Sequence, residues 1–211
     1  CIAFSRDGGL MASVSSLPNR KLRLWDVART DDEGRCAPAL LVEHEVDFDP
    51  AFLSFNPLES LQLCASGGGS LCFFHLEKAD VFYSVRAVPC KLDGDFLTAS
   101  LRPHCHCWMP ASIVYVGCVG GEALALHTYT GEAVKSASGA PAVIVTHDAA
   151  PITAVAATKH HVTFFTQVGA ALWYTHAVDA STGSAAPGAA SLVHEEALGM
   201  AEVRCVAFEQ G

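Results

Sequence analysis

The last ten residues repeat the motif with which the chain opens. Cys1-Ile2-Ala3-Phe4 returns as Cys205-Val206-Ala207-Phe208, and the same phase recurs at Leu53-Ser54-Phe55-Asn56-Pro57, Ala99-Ser100-Leu101-Arg102-Pro103 and Val155-Ala156-Ala157-Thr158. With Phe4, Phe55, Leu101, Ala157 and Phe208 taken as equivalent, the steps are 51, 46, 56 and 51 residues. A fixed period of about 40–50 residues marks a repeat architecture in which one unit cannot bury its own apolar surface and must stack on the next. Four units are expected, over residues 1–50, 51–98, 99–150 and 151–201, with 202–211 supplying the first strand of a fifth.

Within the first unit, apolar residues alternate with polar ones in short runs punctuated by turn residues, the pattern of β-strands rather than helices. The spacing predicts strands over 1–5, 10–15, 21–27 and near 39–43. The first hairpin is closed by Arg6-Asp7-Gly8-Gly9, where Gly8 supplies positive φ, and the next by the Pro18-Asn19 pair. No segment has helical periodicity. The fold class that follows is all-β: a β-propeller of four-stranded antiparallel blades, of which this chain carries about four.

Bulk properties narrow the function classes. The 211 residues are 51% hydrophobic, with a mean hydropathy of +0.30, enough apolar matter for a packed core. Lys and Arg number 13 against 22 Asp and Glu, giving a net charge of −9. The cations are scattered singly or in pairs such as Arg20-Lys21, so no basic stripe tracks a phosphate backbone, and neither nucleic acid nor a tubulin-binding basic patch is expected. No apolar run reaches the length a membrane helix needs, and membrane spanning is not expected. Nine cysteines, an odd number set mostly inside apolar runs, read as reduced thiols in a cytosolic setting. Opening at Cys1 inside a strand-like run, the sequence reads as part of a longer protein with further repeats and a heptad-rich tail.

Phe4-Ser5-Arg6-Asp7-Gly8 followed by Lys21-Leu22-Arg23-Leu24-Trp25-Asp26 resembles the signatures of WD-repeats. In later units Phe74-His75, Leu126-His127 and Thr175-His176 stand where Trp-Asp would be, and Thr146-His147 resembles the Gly-His pair that leads into the first strand of a blade. The positions expected to carry the repeat are Phe4, Asp7, Gly8, Trp25, Asp26, Phe55, Pro57, Trp108, His147 and Phe208. The Asp that the family places between the second and third strands is missing from all four units. The family's buried Asp-His-Ser-Trp network is therefore expected to be incomplete, leaving blade rigidity to apolar packing.

A narrower resemblance runs through Ala12-Ser13-Val14-Ser15-Ser16-Leu17-Pro18, Leu22-Arg23-Leu24-Trp25, Ser54-Phe55-Asn56-Pro57, His106-Cys107-Trp108-Met109-Pro110 and Tyr115-Val116-Gly117-Cys118. It covers residues 1–130 and is similar to a family of large WD-repeat proteins of the ciliary and flagellar axoneme that includes a paralogous pair. That resemblance implies a non-enzymatic scaffold on the cytoplasmic, reducing side of the cell projection, one that tethers or restrains inner-arm dynein heads on the doublet microtubule. The partners it implies are the paralogous WD-repeat protein, inner-arm dynein heavy chains and doublet-microtubule-associated proteins in a hetero-oligomer. The alternative is a general cytosolic WD-repeat adaptor recognising a peptide or partner protein.

The residues offer little chemistry against that reading. His104-Cys105-His106-Cys107 gathers four metal-ligand types, but on a strand Cys105 and Cys107 point one way and the two histidines the other, so at most two reach one ion. Cys105 and Cys107 are therefore the weak metal candidates beside an expectation of no metal and no cofactor. His160-His161 reads as an exposed turn, and Gly67-Gly68-Gly69-Ser70, with no following Lys or helix, as a hairpin rather than a phosphate cradle. Trp25, Trp108 and Trp173 read as packing residues. The acidic Asp31-Asp32-Glu33 loop reads as a solvated turn, with contact to a basic partner as its functional alternative. No nucleophile elbow or catalytic triad is legible, so no catalytic residue is expected.

Overall fold

A computed structural model describes residues 1–90, 101–135, 141, 143–145, 150–158, 160–176 and 190–199. Among the described residues there are sixteen strands and no helix. The chain divides into two compact units, Cys1–Pro89 and Cys90–Gly211.

The first unit holds two sheets. One is built from β1 (Ile2–Phe4), β2 (Leu10–Val14), β3 (Lys21–Asp26) and β4 (Ala39–Glu45); the other from β5 (Phe52–Phe55), β6 (Gln62–Gly67), β7 (Ser70–Ala79) and β8 (Phe82–Pro89). In each, consecutive strands pair antiparallel in chain order, which is a meander. One face of the first sheet packs on one face of the second. Ala12, Val14, Leu22 and Leu24 meet Phe55, Leu63, Ala65, Phe74 and Leu76 there, and Val46 and Phe48 from the connecting segment join them. Full burial of a Leu or Phe contributes roughly 1.5–3 kcal/mol, so this seam is the main source of cohesion in the unit.

Two details fix how the sheets are joined. The loop between β6 and β7 is Gly68-Gly69, with φ of 59° and 82°, the paired positive values that a two-residue hairpin demands. Next to it, Gly67 (φ 147°) lies where the segment before β5 passes under the hairpin: a Cβ there would stand 2.3 Å from Ala51 N and 2.9 Å from Asp49 O. On the same segment the Asp49 carboxylate takes two bonds from Arg20, Nε to Oδ1 at 3.0 Å and Nη2 to Oδ2 at 2.9 Å, while Arg20 Nη1 donates to Asp47 O at 3.1 Å. The β2–β3 hairpin is thus bracketed to the crossing between sheets.

The second unit repeats the plan. Its sheets are β9 (Pro103–Met109), β10 (Ile113–Cys118), β11 (Glu122–His127) and β12 (Val143–Val145), then β13 (Ile152–Ala157), β14 (His161–Thr166), β15 (Ala170–Thr175) and β16 (Leu192–Ala197). Gly117 on β10 permits close approach to β13, since a Cβ there would lie 2.4 Å from Ile152 Cγ2. The buried Tyr115 ring meets Phe164 edge-on at 6.5 Å.

The phase inferred for the third repeat is displaced. Leu101 precedes β9, and the first strands of the four sheets end at Phe4, Phe55, Met109 and Ala157, at intervals of 51, 54 and 48 residues. Pro103 opens its strand, whereas Pro57 and Pro110 both follow one, in the turn that leads to the next strand. The Ala99–Pro103 run imitates the Leu53–Pro57 motif in spelling but not in position.

Candidate functional site

The signature residues of the first sheet serve its turns. Ser5 Oγ donates to Asp7 Oδ1 at 2.6 Å, Gly9 N donates to the same oxygen at 3.1 Å, and Leu10 N donates to Ser5 Oγ at 2.9 Å. The Ser5 hydroxyl, then the Gly9 amide, hold the Asp7 carboxyl below its ordinary range. Gly8 turns the chain at φ 71°. The same corner recurs with different chemistry: Asn56 Oδ1 accepts from Leu58 N at 2.9 Å, and Thr158 Oγ1 accepts from His161 N at 3.1 Å. Ser5, Asn56 and Thr158 form a polar corner at the end of the first strand that the sequence comparison of apolar runs did not single out; the turn-forming character of all three was the available signal.

Trp25 Nε1 donates to Ser13 Oγ across β2 and β3 at 3.2 Å, so the Ser-Trp half of the family network is present. Asp26 caps the turn after β3 by accepting from the amides of Ala28 and Arg29, each at 3.1 Å. Strand register identifies the equivalents of Trp25: it pairs with Met11, as Phe74 pairs with Leu63, Leu126 with Val114 and Tyr174 with Val162. The fourth equivalent of Trp-Asp is therefore Tyr174-Thr175, one residue earlier than Thr175-His176. His176 lies past the end of β15, where its Nε2 is 2.9 Å from Thr158 O and its ring stacks on Tyr115 at 6.0 Å. Desolvation holds its imidazole below the usual range, and the neighbouring His161 and His160 push the same way against the Thr158 hydrogen bond.

Phe4 and Phe55 end equivalent strands yet differ in surroundings: Phe55 is buried, whereas Phe4 is 60% exposed. Pro57 follows β5, and Trp108 is half-buried on β9 beside Met109. Trp25 and Trp173 are half-buried as well, Trp173 lying 5.0 Å from the His194 ring. His147 and Phe208 lie outside the described residues.

The His104–Cys107 run lies on β9. Cys105 faces β13, its Sγ 3.5 Å from Ile152 O. Burial raises the Cys105 and Cys107 thiols above their ordinary range and pulls the His106 imidazole down to about 4. Protonated thiols are poor metal ligands. Among the described residues no group of three or more His, Cys, Asp or Glu is placed to hold a metal.

Other candidate surfaces are committed locally. Asp31 Oδ1 accepts from Glu33 N at 3.0 Å and Arg35 N at 2.9 Å, and Arg35 pairs with Asp31 and Glu33 at 3.1 and 2.6 Å. Arg35 thus pairs with two of the three carboxylates, and the loop keeps a net negative charge. On the β3–β4 face Glu43 takes both Lys21 and Arg23, the latter at 2.8 Å. His160 is exposed in the β13–β14 turn. What the surface does present is fourth strands: all six residues of β16 are exposed, and Phe82 at the start of β8 is 75% exposed.

Sheets of four consecutive antiparallel strands, with Ser13-Trp25 and Asp26 in signature positions, define a run of WD-type β-propeller blades. Solved propellers share this fold: the β-propeller domain of Cps50 (Swd1) from Myceliophteria thermophila has a TM-score of 0.64 at 14% identity, over 92% of this chain and 57% of that one. Sqt1 from Saccharomyces cerevisiae has a TM-score of 0.65 at 10% identity, over 93% and 50%. No family model matches.

In sequence this WD-repeat chain is similar to cilia- and flagella-associated protein 43. Identity is 25% over 175 residues with the Xenopus laevis and Mus musculus proteins, taking in 61% of this chain and 10% of each relative. With the Chlamydomonas reinhardtii protein it is 30% over 132 residues, 62% and 8%. The chain spans about a tenth of the length of these relatives.

Proposed function

We propose that the chain is the blade-forming part of a non-enzymatic scaffold of the ciliary or flagellar axoneme, which helps tether or restrain inner-arm dynein heads on the doublet microtubule. The observation that carries this reading is its similarity to one cilia- and flagella-associated protein from a frog, a mouse and an alga. The geometry supports a scaffold: among the described residues large apolar side chains are exposed on fourth strands, Phe82 on β8 and Leu192 and Val193 on β16. Its partners on this reading are the paralogous WD-repeat protein, dynein heavy chains and doublet-associated proteins, in the reducing interior of the cell projection. On this reading the four sheets are four consecutive blades; residues 202–211, expected to begin the next, lie outside the described residues.

Proximity labelling from the tagged full-length protein in ciliated cells tests this. Enrichment of inner-arm dynein heavy chains is expected, together with disturbed beating when the gene is removed. Normal dynein placement and beating in the null cells would overturn the tether. Abundant protein in cells without cilia would favour the alternative, a cytosolic adaptor that recognises a peptide or partner protein.

A further inference from the structure

The four sheets share one plan, and the second departs from it. The third strands β3, β11 and β15 are six residues long, whereas β7 has ten. β6 pairs with β7 only over Ser70–His75, but β7 and β8 go on pairing through Leu76↔Val85, Glu77↔Ser84, Lys78↔Tyr83 and Ala79↔Phe82 to the short turn Asp80-Val81. The second sheet therefore carries a two-stranded ribbon that extends about 13 Å past β6 at the usual rise of a strand. The ribbon is well fixed: Leu76 N donates to Leu61 O at 2.8 Å, Tyr83 and Val85 pack on the core, and Lys78 Nζ stands 5.5 Å from the centre of the Tyr83 ring.

Among the described residues β8 pairs with β7 alone. Leu76, directly opposite Val85, turns its amide away from β8 toward Leu61. In an antiparallel ladder opposed residues share that orientation, and it alternates along each strand. The amides and carbonyls of Tyr83, Val85 and Ala87 therefore point outward, away from β7. Exposed strand edges are usually guarded by charge, and two other fourth strands follow the rule: β4 carries Glu43 and Glu45, and β16 carries Glu195 and Glu196. Between its turn and Pro89, β8 has a single charged side chain, Arg86, which lies 3.6 Å from Glu77 and is set among the apolar Phe82, Val85 and Val88.

We propose that β8 is a dimerisation edge, pairing antiparallel with β8 of a second copy of the protein about a two-fold axis at Val85. The occupant is a second copy because the strand supplies its own complement. Val85 is the midpoint of Phe82–Val88, the stretch between the turn and Pro89. With the axis there, Val85 meets Val85 of the second copy and Tyr83 meets Ala87, so every outward amide finds a carbonyl. Phe82 lies opposite Val88 and Ser84 opposite Arg86, which sets no like charges directly against each other, and each Arg86 brings its own Glu77. An axis at Ala87 would instead set Val85 against Pro89, which has no N–H to give. The contact uses the same edge of both copies, so assembly stops at a pair. This inference goes beyond the ciliary reading and is independent of it.

The test uses the full-length protein with p-benzoylphenylalanine in place of Phe82, whose 75% exposure accommodates the larger ring. Dilute light and isotopically heavy forms are mixed, concentrated and irradiated. The expected product joins a light copy to a heavy one through the β8 peptide that contains Val88. Sedimentation of two variants at the exposed Ser84, without the cross-linker, supplies the second reading. Ser84→Lys, which places a cation opposite Arg86, is expected to weaken the dimer about fivefold, and Ser84→Glu to strengthen it by a similar factor. A product confined to one copy, a cross-link to another protein, or no product would overturn the proposal. Equal dissociation constants for the two variants, or the reverse order, would overturn it as well.

Discussion

Gly117 and Ile152 are closer than any side chain between them would allow: a Cβ on the glycine would lie 2.4 Å from Ile152 Cγ2 and 2.9 Å from Cys105 Sγ. The absence of a side chain at 117 is therefore what lets β10 and β13 pack. Gly117→Ala is expected to destabilise the protein by about 1–3 kcal/mol, the usual cost of overfilling a close-packed seam. A lowered urea midpoint with an unchanged slope checks it, and a midpoint equal to that of the parent protein refutes it.

Two glycine substitutions should separate strain from collision. At Gly8 (φ 71°) a Cβ meets nothing within 4 Å, so Gly8→Ala carries only the left-handed backbone cost of about 1–2 kcal/mol. At Gly67 the added carbon also strikes the backbone of Ala51 and Asp49, which cannot rotate away. Thermal melts should show Gly67→Ala losing clearly more stability than Gly8→Ala; the reverse order would contradict the close crossing.

The thiols should divide into two kinetic classes. Burial pushes Cys72 and Cys118 up to about 12, leaving about one in ten thousand ionised at pH 8. Cys64 and Cys105 are buried too, whereas Cys1 and Cys36 are exposed. Alkylation of the native protein followed by peptide mapping should label Cys1 and Cys36 quickly and these four only after denaturation. Rapid native labelling of Cys72 or Cys118 would mean that the sheets open readily.

How much of this was legible beforehand varied along the chain. The first sheet could be read almost to the residue, because Asp7-Gly8-Gly9 and Trp25-Asp26 are local signals that fix a turn and a strand end by themselves. Where Trp gives way to Phe74, Leu126 and Tyr174, the anchor has the same shape and burial as any core residue, and the eye-catching His176 drew the assignment one place too far. Pro103 misled for a related reason: a proline suits both the first residue of a strand and the turn after one. The Arg20–Asp49 bracket joins residues 29 apart and rests on a crossing that no local pattern encodes.

That bracket has a pH signature. The Arg20 guanidinium holds the Asp49 carboxyl below its ordinary value of 3.8, so the pair stabilises the fold fully above that value and loses its effect as pH falls through the lower folded one. Asp49→Asn is therefore expected to lower the urea midpoint at pH 7, with a smaller gap from the parent protein at pH 3. An equal gap at both pH values would show that the carboxylate charge is not what matters.

Because every sheet is threaded in chain order, its hydrogen bonds lie along the line joining the first strand to the fourth. Tension applied to the two ends of such a sheet loads one ladder after another, like a zip fastener, instead of spreading over all of them together.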